Sequence, residues 1–206
     1  MDYRNIGEFP LCVPQPHTIN DILGYCSDTL DHEPEELQRK QILTITWAQG
    51  IIASTLLRVN IPTFTWSRQE KLYETKNIYG KTIKAIYKNL DSLQRMTALK
   101  WFHTDEICVP EDFPPITWMG EQAFLGGLKK SEIETKYSGL LTDRFYNVQT
   151  RIDKYGECGQ FLTPKQETYL FKQVLNNQNK MNSQQWRNPT VSVIASAIRQ
   201  DARLNP

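Results

Sequence analysis

Ile86-Tyr87-Lys88-Asn89-Leu90-Asp91-Ser92-Leu93-Gln94-Arg95-Met96-Thr97-Ala98-Leu99 is the stretch on which the reading of this chain turns. An apolar extended run ends in an acid, a polar turn follows, and apolar residues then recur at helical spacing. This order predicts a strand passing directly into a helix. Backbone N–H groups in the first turn of a helix have no partner within it and sit at the positive end of its dipole. A helix start beside Gln94 and Arg95 therefore suits an anion or a phosphate. Asp91 stands where a metal, a ribose or a hydroxyl would be held. The same residues also read as an Asp N-cap opening an ordinary amphipathic helix that binds nothing.

Working outward toward the amino terminus, Thr82 to Leu90 and Tyr73 to Ile78 read as two extended segments joined at Tyr79-Gly80-Lys81, with the glycine a hairpin connection wants. Ile61-Pro62-Thr63-Phe64-Thr65-Trp66 reads as a further short strand, its proline at the start where a strand tolerates one. Trp47, Ala48, Ile51, Ile52 and Leu56 recur at helical spacing and predict a helix over 46–58. Residues 1–33 carry Pro10, Pro14 and Pro16 and few periodic apolar positions, so they are expected to form an irregular lead-in to a domain spanning 34–206.

Toward the carboxy terminus, Leu99 and Phe102 carry the helix inward-facing to about His103, and Cys108 to Pro115 ends it. Residues 116–142, with Gly120, Gly126, Gly127 and Gly139, read as loop with one short helix. Tyr146 to Ile152 alternates as a half-buried strand does. Thr163-Pro164-Lys165-Gln166 is a helix start, with a hydroxyl cap, a proline at the first helical position and a capping-box glutamine. Tyr169, Leu170, Val174 and Leu175 form that helix's apolar stripe, ahead of a polar loop at Asn176 to Asn179. A second box at Asn182 to Gln185 and a last helix over 190–199 follow. Short strands mixed with helices, without strict alternation, give an α+β class.

The 206 residues hold 24 basic and 23 acidic side chains, a formal net charge of +1. No global field therefore points to nucleic acid or a membrane surface, and any basic site must be local. Cys12, Cys26, Cys108 and Cys158 lack the short gaps of zinc and redox motifs, and read as free thiols in a reducing compartment. His17, His32 and His103 show no metal spacing. The amino terminus does not read as a secretory signal, and no stretch is long and apolar enough for a membrane span, so a cytoplasmic protein is expected.

Three segments resemble, in order, the ParB/sulfiredoxin-like family that forms the amino-terminal domain of GmrSD-type modification-dependent restriction enzymes. The family shows a Gln-Arg before a Trp-containing helix and an Ile-Pro strand, here Gln38-Arg39 through Trp47 to Ile61-Pro62. It shows a strand ending in Asp-Gly-Gln-Gln-Arg, here Asp91-Ser92-Leu93-Gln94-Arg95. Its third segment ends in Glu-x-Arg-Asn, here Gln185-Trp186-Arg187-Asn188. The resemblance spans roughly residues 36–190. It departs at Ser92, where glycine would permit close backbone approach, at Leu93 in place of a glutamine, and at Gln185 in place of a carboxylate.

The resemblance implies a ParB/sulfiredoxin-like domain, a small mixed sheet with flanking helices and a carboxy-terminal helical part. It further implies that the Asp91-to-Arg95 loop cradles the phosphates of a nucleoside triphosphate, with Mg2+ as companion. Asp91 and Arg95 carry over as catalytic residues, and Gln38, Arg39, Ser92, Gln94, Arg95, Arg187 and Asn188 as nucleotide ligands. Guanidinium forks suit phosphate oxygens. On their own, Arg39 beside Glu35 and Glu36 reads as a solvated side chain, and Trp47, Trp66, Trp101 and Trp118 read as core rather than base-stacking residues.

The expected function is nucleotide binding with NTP hydrolysis in DNA metabolism or in restriction and phage conflict, with DNA and a nuclease or other protein as partners. Two alternatives stand beside it. One is a non-catalytic DNA- or protein-binding module that keeps the fold with a degenerate site. The other is a nuclease or nucleotidyl-transfer enzyme using Asp91 and a metal on a phosphodiester.

Overall fold

A computed structural model describes residues 6–34, 43–59 and 61–180, the last eight as backbone only. The chain divides into two compact units, Met1–Thr168 and Tyr169–Pro206. The first is an α+β unit built on a mixed five-stranded sheet.

Its strands are β1 (Cys12–Thr18), β2 (Leu30–Asp31), β3 (Phe64–Lys76), β4 (Thr82–Asp91) and β7 (Gln149–Tyr155), in the order β1-β7-β3-β4-β2. β1 with β7 and β3 with β4 pair antiparallel, while β7 with β3 and β2 with β4 pair parallel. A second, two-stranded sheet joins β5 (Ile116–Trp118) to β6 (Glu121–Ala123). The helices are α1 (Ile19–Asp28), α2 (Ile45–Leu56), α3 (Leu93–His103), α4 (Lys130–Lys136) and α5 (Pro164–Lys180).

Of the stretch expected as an irregular lead-in, the described residues hold β1, α1 and β2. Thr18 and Asp21 form a capping box, the Asp21 carboxylate accepting from Thr18 N at 2.8 Å and Thr18 Oγ1 accepting from Asp21 N at 3.1 Å. This starts α1, whose Ile19, Ile22, Leu23 and Cys26 are buried in the core. Pro14 and Pro16 lie on the edge strand β1, opposite Asp153 and Arg151 of β7. An edge tolerates proline because the lost N–H faces away from the ladder.

The two strand segments expected at 61–66 and 73–78 are one strand, β3, thirteen residues long. Its pairing with β4 slips between Arg68 and Tyr73, so the exposed Glu70 to Leu72 form an irregularity within the strand. The hairpin to β4 turns where expected. Asn77 Oδ1 accepts from Tyr79 N at 3.0 Å and Lys81 N at 2.9 Å, and Gly80 supplies the positive φ of 79°.

α2 and α3 fall where helical spacing puts them. Ala48, Ile52 and Leu56, and Leu99 and Phe102, are fully buried, and the two helices pack on each other. Trp66 is core, and Trp47, Trp101 and Trp118 are partly buried against it.

The strand expected at 146–152 begins three residues later, because Thr142–Tyr146 forms a π-helical turn closed by Asn147 N donating to Thr142 O at 3.0 Å. The span 116–142 holds the β5–β6 hairpin as well as α4. The capping box at the start of α5 is present, Thr163 N donating to Gln166 Oε1 at 2.9 Å. α5 runs through Asn176–Asn179 rather than ending in a loop there, since no glycine or proline stops it. The box at 182–185 and the helix expected at 190–199 lie outside the described residues. Among the described residues, no helix is long and apolar enough to cross a membrane.

Side chains alternate across the sheet. Trp66, Tyr87 and Lys154 face α1, where Tyr25 meets all three. Ser67 and Lys88 face the other way, toward Glu167 in the first turn of α5.

Candidate functional site

β4 hands over to α3 within one residue. Asp91 closes the strand and Ser92 is the N-cap, so the cap is not the aspartate expected from sequence. Ser92 makes no side-chain cap, and the first turn of α3 contains no acid. Instead the buried Ser92 hydroxyl donates to Asn89 Oδ1 at 2.6 Å and accepts from Trp66 Nε1 at 3.4 Å. Asn89 Nδ2 continues the chain to His32 O at 2.9 Å. The start of α3 is therefore tied into the sheet by side chains, while the Ser92 hydroxyl does not cap its first-turn N–H groups.

Arg95, in that first turn, is only 6 % exposed. Its Nη2 donates to Thr63 O at 3.0 Å, to Asp91 O at 2.9 Å and to Asp91 Oδ2 at 3.1 Å, and the guanidinium lies 5.3 Å over the Phe64 ring. Among the described residues its buried Nε has no hydrogen-bond partner. The structure thus gathers Asp91, Ser92, Gln94 and Arg95 at one helix start, with Gln94 half-buried. Ser92 and Arg95 are engaged in bonds within the protein. Gln38, Arg39, Arg187 and Asn188 lie outside the described residues.

Two polar groupings escaped the sequence reading. On the α1 face, Lys154 is 2 % exposed and its ammonium lies 4.5 Å from the Tyr25 ring, 5.3 Å from Tyr87 and 5.9 Å from Trp66. It donates to Tyr25 Oη at 3.1 Å. Three aromatic faces take the part a carboxylate usually plays for a buried cation. The signal was present, for Thr150, Ile152 and Lys154 share the buried parity of β7. Burial, and then the Glu157 carboxylate that accepts from Tyr87 Oη at 2.8 Å, push the Tyr87 phenol upward.

On the opposite face, a cleft of about 570 Å³ is lined by Asp31, Gln69, Tyr73, Glu74 and Lys88 among others. The buried Asp31 accepts from Tyr73 Oη at 3.0 Å. Behind it the buried Glu167 accepts from Ser67 at 2.6 Å and Gln69 at 2.7 Å, with the Lys88 ammonium 3.7 Å away. Nothing in the sequence spacing brings position 167 to position 67.

All three histidines sit below the ordinary 6.5. Burial is the main cause in each, joined by the Lys154 ammonium at His17 and by Lys130 at His103. Each binds its proton less readily folded than unfolded. Their contribution to stability is therefore complete above pH 6.5 and is lost as the pH falls through that value toward the lower folded ones. Thr18 holds the Asp21 carboxyl below its usual 3.8, so a further loss follows in stronger acid. Melting curves are expected to shift little between about pH 8 and 7 and to fall steadily from about pH 6.5 to 5. An unchanged midpoint across that lower interval would refute the assignment.

The ends of α3 and β4 bring together first-turn N–H donors, a guanidinium whose Nε–H has no acceptor among the described residues, and the Asp91 carboxylate. Among the described residues no three His, Cys, Asp or Glu side chains gather at metal-binding distance. A magnesium ion brought by a polyphosphate needs only one or two protein carboxylates, so Asp91 fits that demand. The four cysteines are free. Compared with known protein families, characterised proteins and solved structures, the chain matches none.

Proposed function

We propose that the start of α3 binds the phosphates of a nucleoside triphosphate, in a ParB/sulfiredoxin-like domain of the GmrSD type. The observation that carries this reading is the first turn of α3, which has no cap from the Ser92 side chain and no acid, and holds an arginine whose Nε has no partner among the described residues. Uncapped N–H groups at a helix start are the backbone's own anion site. In this reading the N–H groups of Leu93 and Gln94 and the Gln94 amide donate to phosphate oxygens. Arg95 supplies charge, and Asp91 faces the magnesium ion. The resemblance adds Gln38, Arg39, Arg187 and Asn188 as nucleotide ligands. Bound Mg2+ would neutralise phosphate charge and favour hydrolysis. Hydrolysis would drive action on DNA in restriction or phage conflict, with a nuclease partner.

Gln94→Glu tests the reading cleanly. A carboxylate in the first turn favours the helix dipole by about 0.3–1 kcal/mol and so keeps or raises stability, yet it repels a phosphate. Calorimetry with each of the four common NTPs and Mg2+ is expected to show binding by the wild type and a loss of about ten-fold or more in Gln94→Glu. No binding of any of the four, or unchanged affinity in the variant, overturns the proposal.

The burial of Ser92 and its bonds to Asn89 and Trp66 favour a second reading, in which the same fold serves as a non-catalytic DNA- or protein-binding module. DNA binding that weakens steeply with salt, without nucleotide turnover, would select it. Turnover abolished by Asp91→Ala would remove it.

A further inference from the structure

Between Arg68 and Lys88 the chain carries six basic and two acidic side chains, while its net charge as a whole is +1, so the remainder is net acidic. The excess sits on the β3–β4 hairpin. Tyr73 to Lys76 pairs antiparallel with Thr82 to Ala85, and residues opposite each other share a face of such a ribbon. Tyr73, Thr75, Ile83 and Ala85 make the sheltered face, half-buried or buried. Glu74 opposite Lys84 and Lys76 opposite Thr82 make the other face, and all four are exposed. Lys81 is exposed at the turn, and Lys71 in the irregularity of β3. Among the described residues none of Lys71, Lys76, Lys81 and Lys84 forms an ion pair, whereas Arg58, Lys100, Lys130 and Arg151 each meet a carboxylate.

The turn that carries these lysines is held in place. Asn77 is buried and its Nδ2 donates to Ser27 O at 2.6 Å, while Ile78 packs against the core. The lysines therefore stand on a fixed support, and little backbone order has to be gained when they meet a partner. The exposed positions from 74 to 84 are Glu74, Lys76, Gly80, Lys81, Thr82 and Lys84, with no apolar residue among them. A membrane-binding segment would set apolar side chains among its lysines. Ammonium groups on a polar surface instead suit phosphates, which lysine meets as a point charge. A two-stranded ribbon also fits the major groove of B-form DNA, about 12 Å wide, whereas the deep, narrow major groove of an RNA duplex shuts it out.

Resting on the reading that the chain acts on DNA, but not on nucleotide binding at α3, we propose that the exposed face of the β3–β4 hairpin is a docking surface for duplex DNA, on which Lys76, Lys81 and Lys84 neutralise backbone phosphates. Contacts of this kind carry no sequence preference and make binding fall steeply with salt. Glu74, opposite Lys84, opposes the phosphates and holds the affinity down.

Fluorescence anisotropy of the full chain with a labelled duplex of about 24 base pairs, without nucleotide or Mg2+, tests the surface. Wild-type affinity is expected to drop about 40-fold or more between about 50 and about 200 mM salt. Lys76→Gln, Lys81→Gln and Lys84→Gln combined are expected to lose about ten-fold or more at the lower salt and to flatten the logarithmic salt slope by about three. Glu74→Gln is expected to bind about two-fold tighter or better, and covers the case in which the triple variant does not fold. Lys129→Gln, Lys136→Gln and Lys165→Gln combined remove the same charge from other exposed positions, and are expected to change affinity by less than about two-fold.

A wild type that binds the duplex while the folded hairpin variants bind like it overturns the surface and leaves DNA binding standing. Equal losses in the two triple variants do the same, since overall charge would then suffice. Duplex RNA bound as tightly as DNA, or anionic vesicles bound in preference to either, also overturns it. A wild type that binds no DNA at the lower salt overturns both the surface and the reading that the chain acts on DNA. The nucleotide site is untouched by each of these results and is judged by Gln94→Glu alone.

Discussion

Replacing Trp66 with alanine is expected to lower the thermal unfolding midpoint by about 10 °C. The indole is fully buried and belongs at once to the core, to the sheet and to the site. It lies 5.2 Å from the Tyr25 ring and 6.1 Å from Tyr87, forms one wall around the Lys154 ammonium, and donates to the Ser92 hydroxyl. Truncating a large buried aromatic to alanine costs about 3–5 kcal/mol, since the lost burial and the cavity left behind add together. For a chain of this size each kcal/mol moves the midpoint by about 2–4 °C. The cost falls toward the upper part of the range because the cavity opens beside a buried cation that no carboxylate pairs among the described residues. Trp66→Phe keeps most of the wall and should recover about half the loss. A drop of less than about 3 °C in scanning calorimetry would show that Tyr25 and Tyr87 close over the gap.

Arg95→Ala is expected to cost about 3–5 kcal/mol, read as a shift of the urea midpoint with an unchanged slope. Breaking a buried ion pair from one side is expensive because the partner charge stays behind without compensation. Here the substitution also strips Thr63 O and Asp91 O of a donor and removes the guanidinium that lies over the Phe64 ring. Arg95→Lys should recover only part of this, since a single ammonium cannot reproduce the planar fork that serves these acceptors. A loss below about 1 kcal/mol would mean that the pair is not buried as described. The same result governs how binding data are read: lost nucleotide affinity in Arg95→Ala mixes unfolding with a missing ligand, and Gln94→Glu does not.

What the sequence conveyed well was local and periodic. The strand-to-helix handover at Asp91, the hairpin at Gly80, the inward face of α2 and the capping box at Thr163 each follow from residues within a few positions of one another. What it concealed depended on partners far along the chain. Proline at 14 and 16 argued for irregular structure until β7 placed those residues on a sheet edge. The slip in β3 split one strand into two apparent ones.

The site was legible in composition and opaque in role. Asp91, Ser92, Gln94 and Arg95 do converge, but sequence alone could not show Arg95 turned back onto Asp91 and Thr63, or Ser92 spent on Asn89. Lys154 was hidden for a related reason. A lysine in a strand reads as solvated, and its three aromatic neighbours come from α1, β3 and β4.

Pro14 and Pro16 carry a consequence for assembly. Both are on the outermost strand, two residues apart and so of the same parity, and neither has an N–H to offer. Proline in a sheet directs its missing donor away from the ladder, so the free rim of β1 lacks two successive outward donors. A strand from another molecule that approached this rim would find acceptors with no matching donors between them. Backbone pairing on that side would lack those two donors, which disfavours lengthening the sheet there.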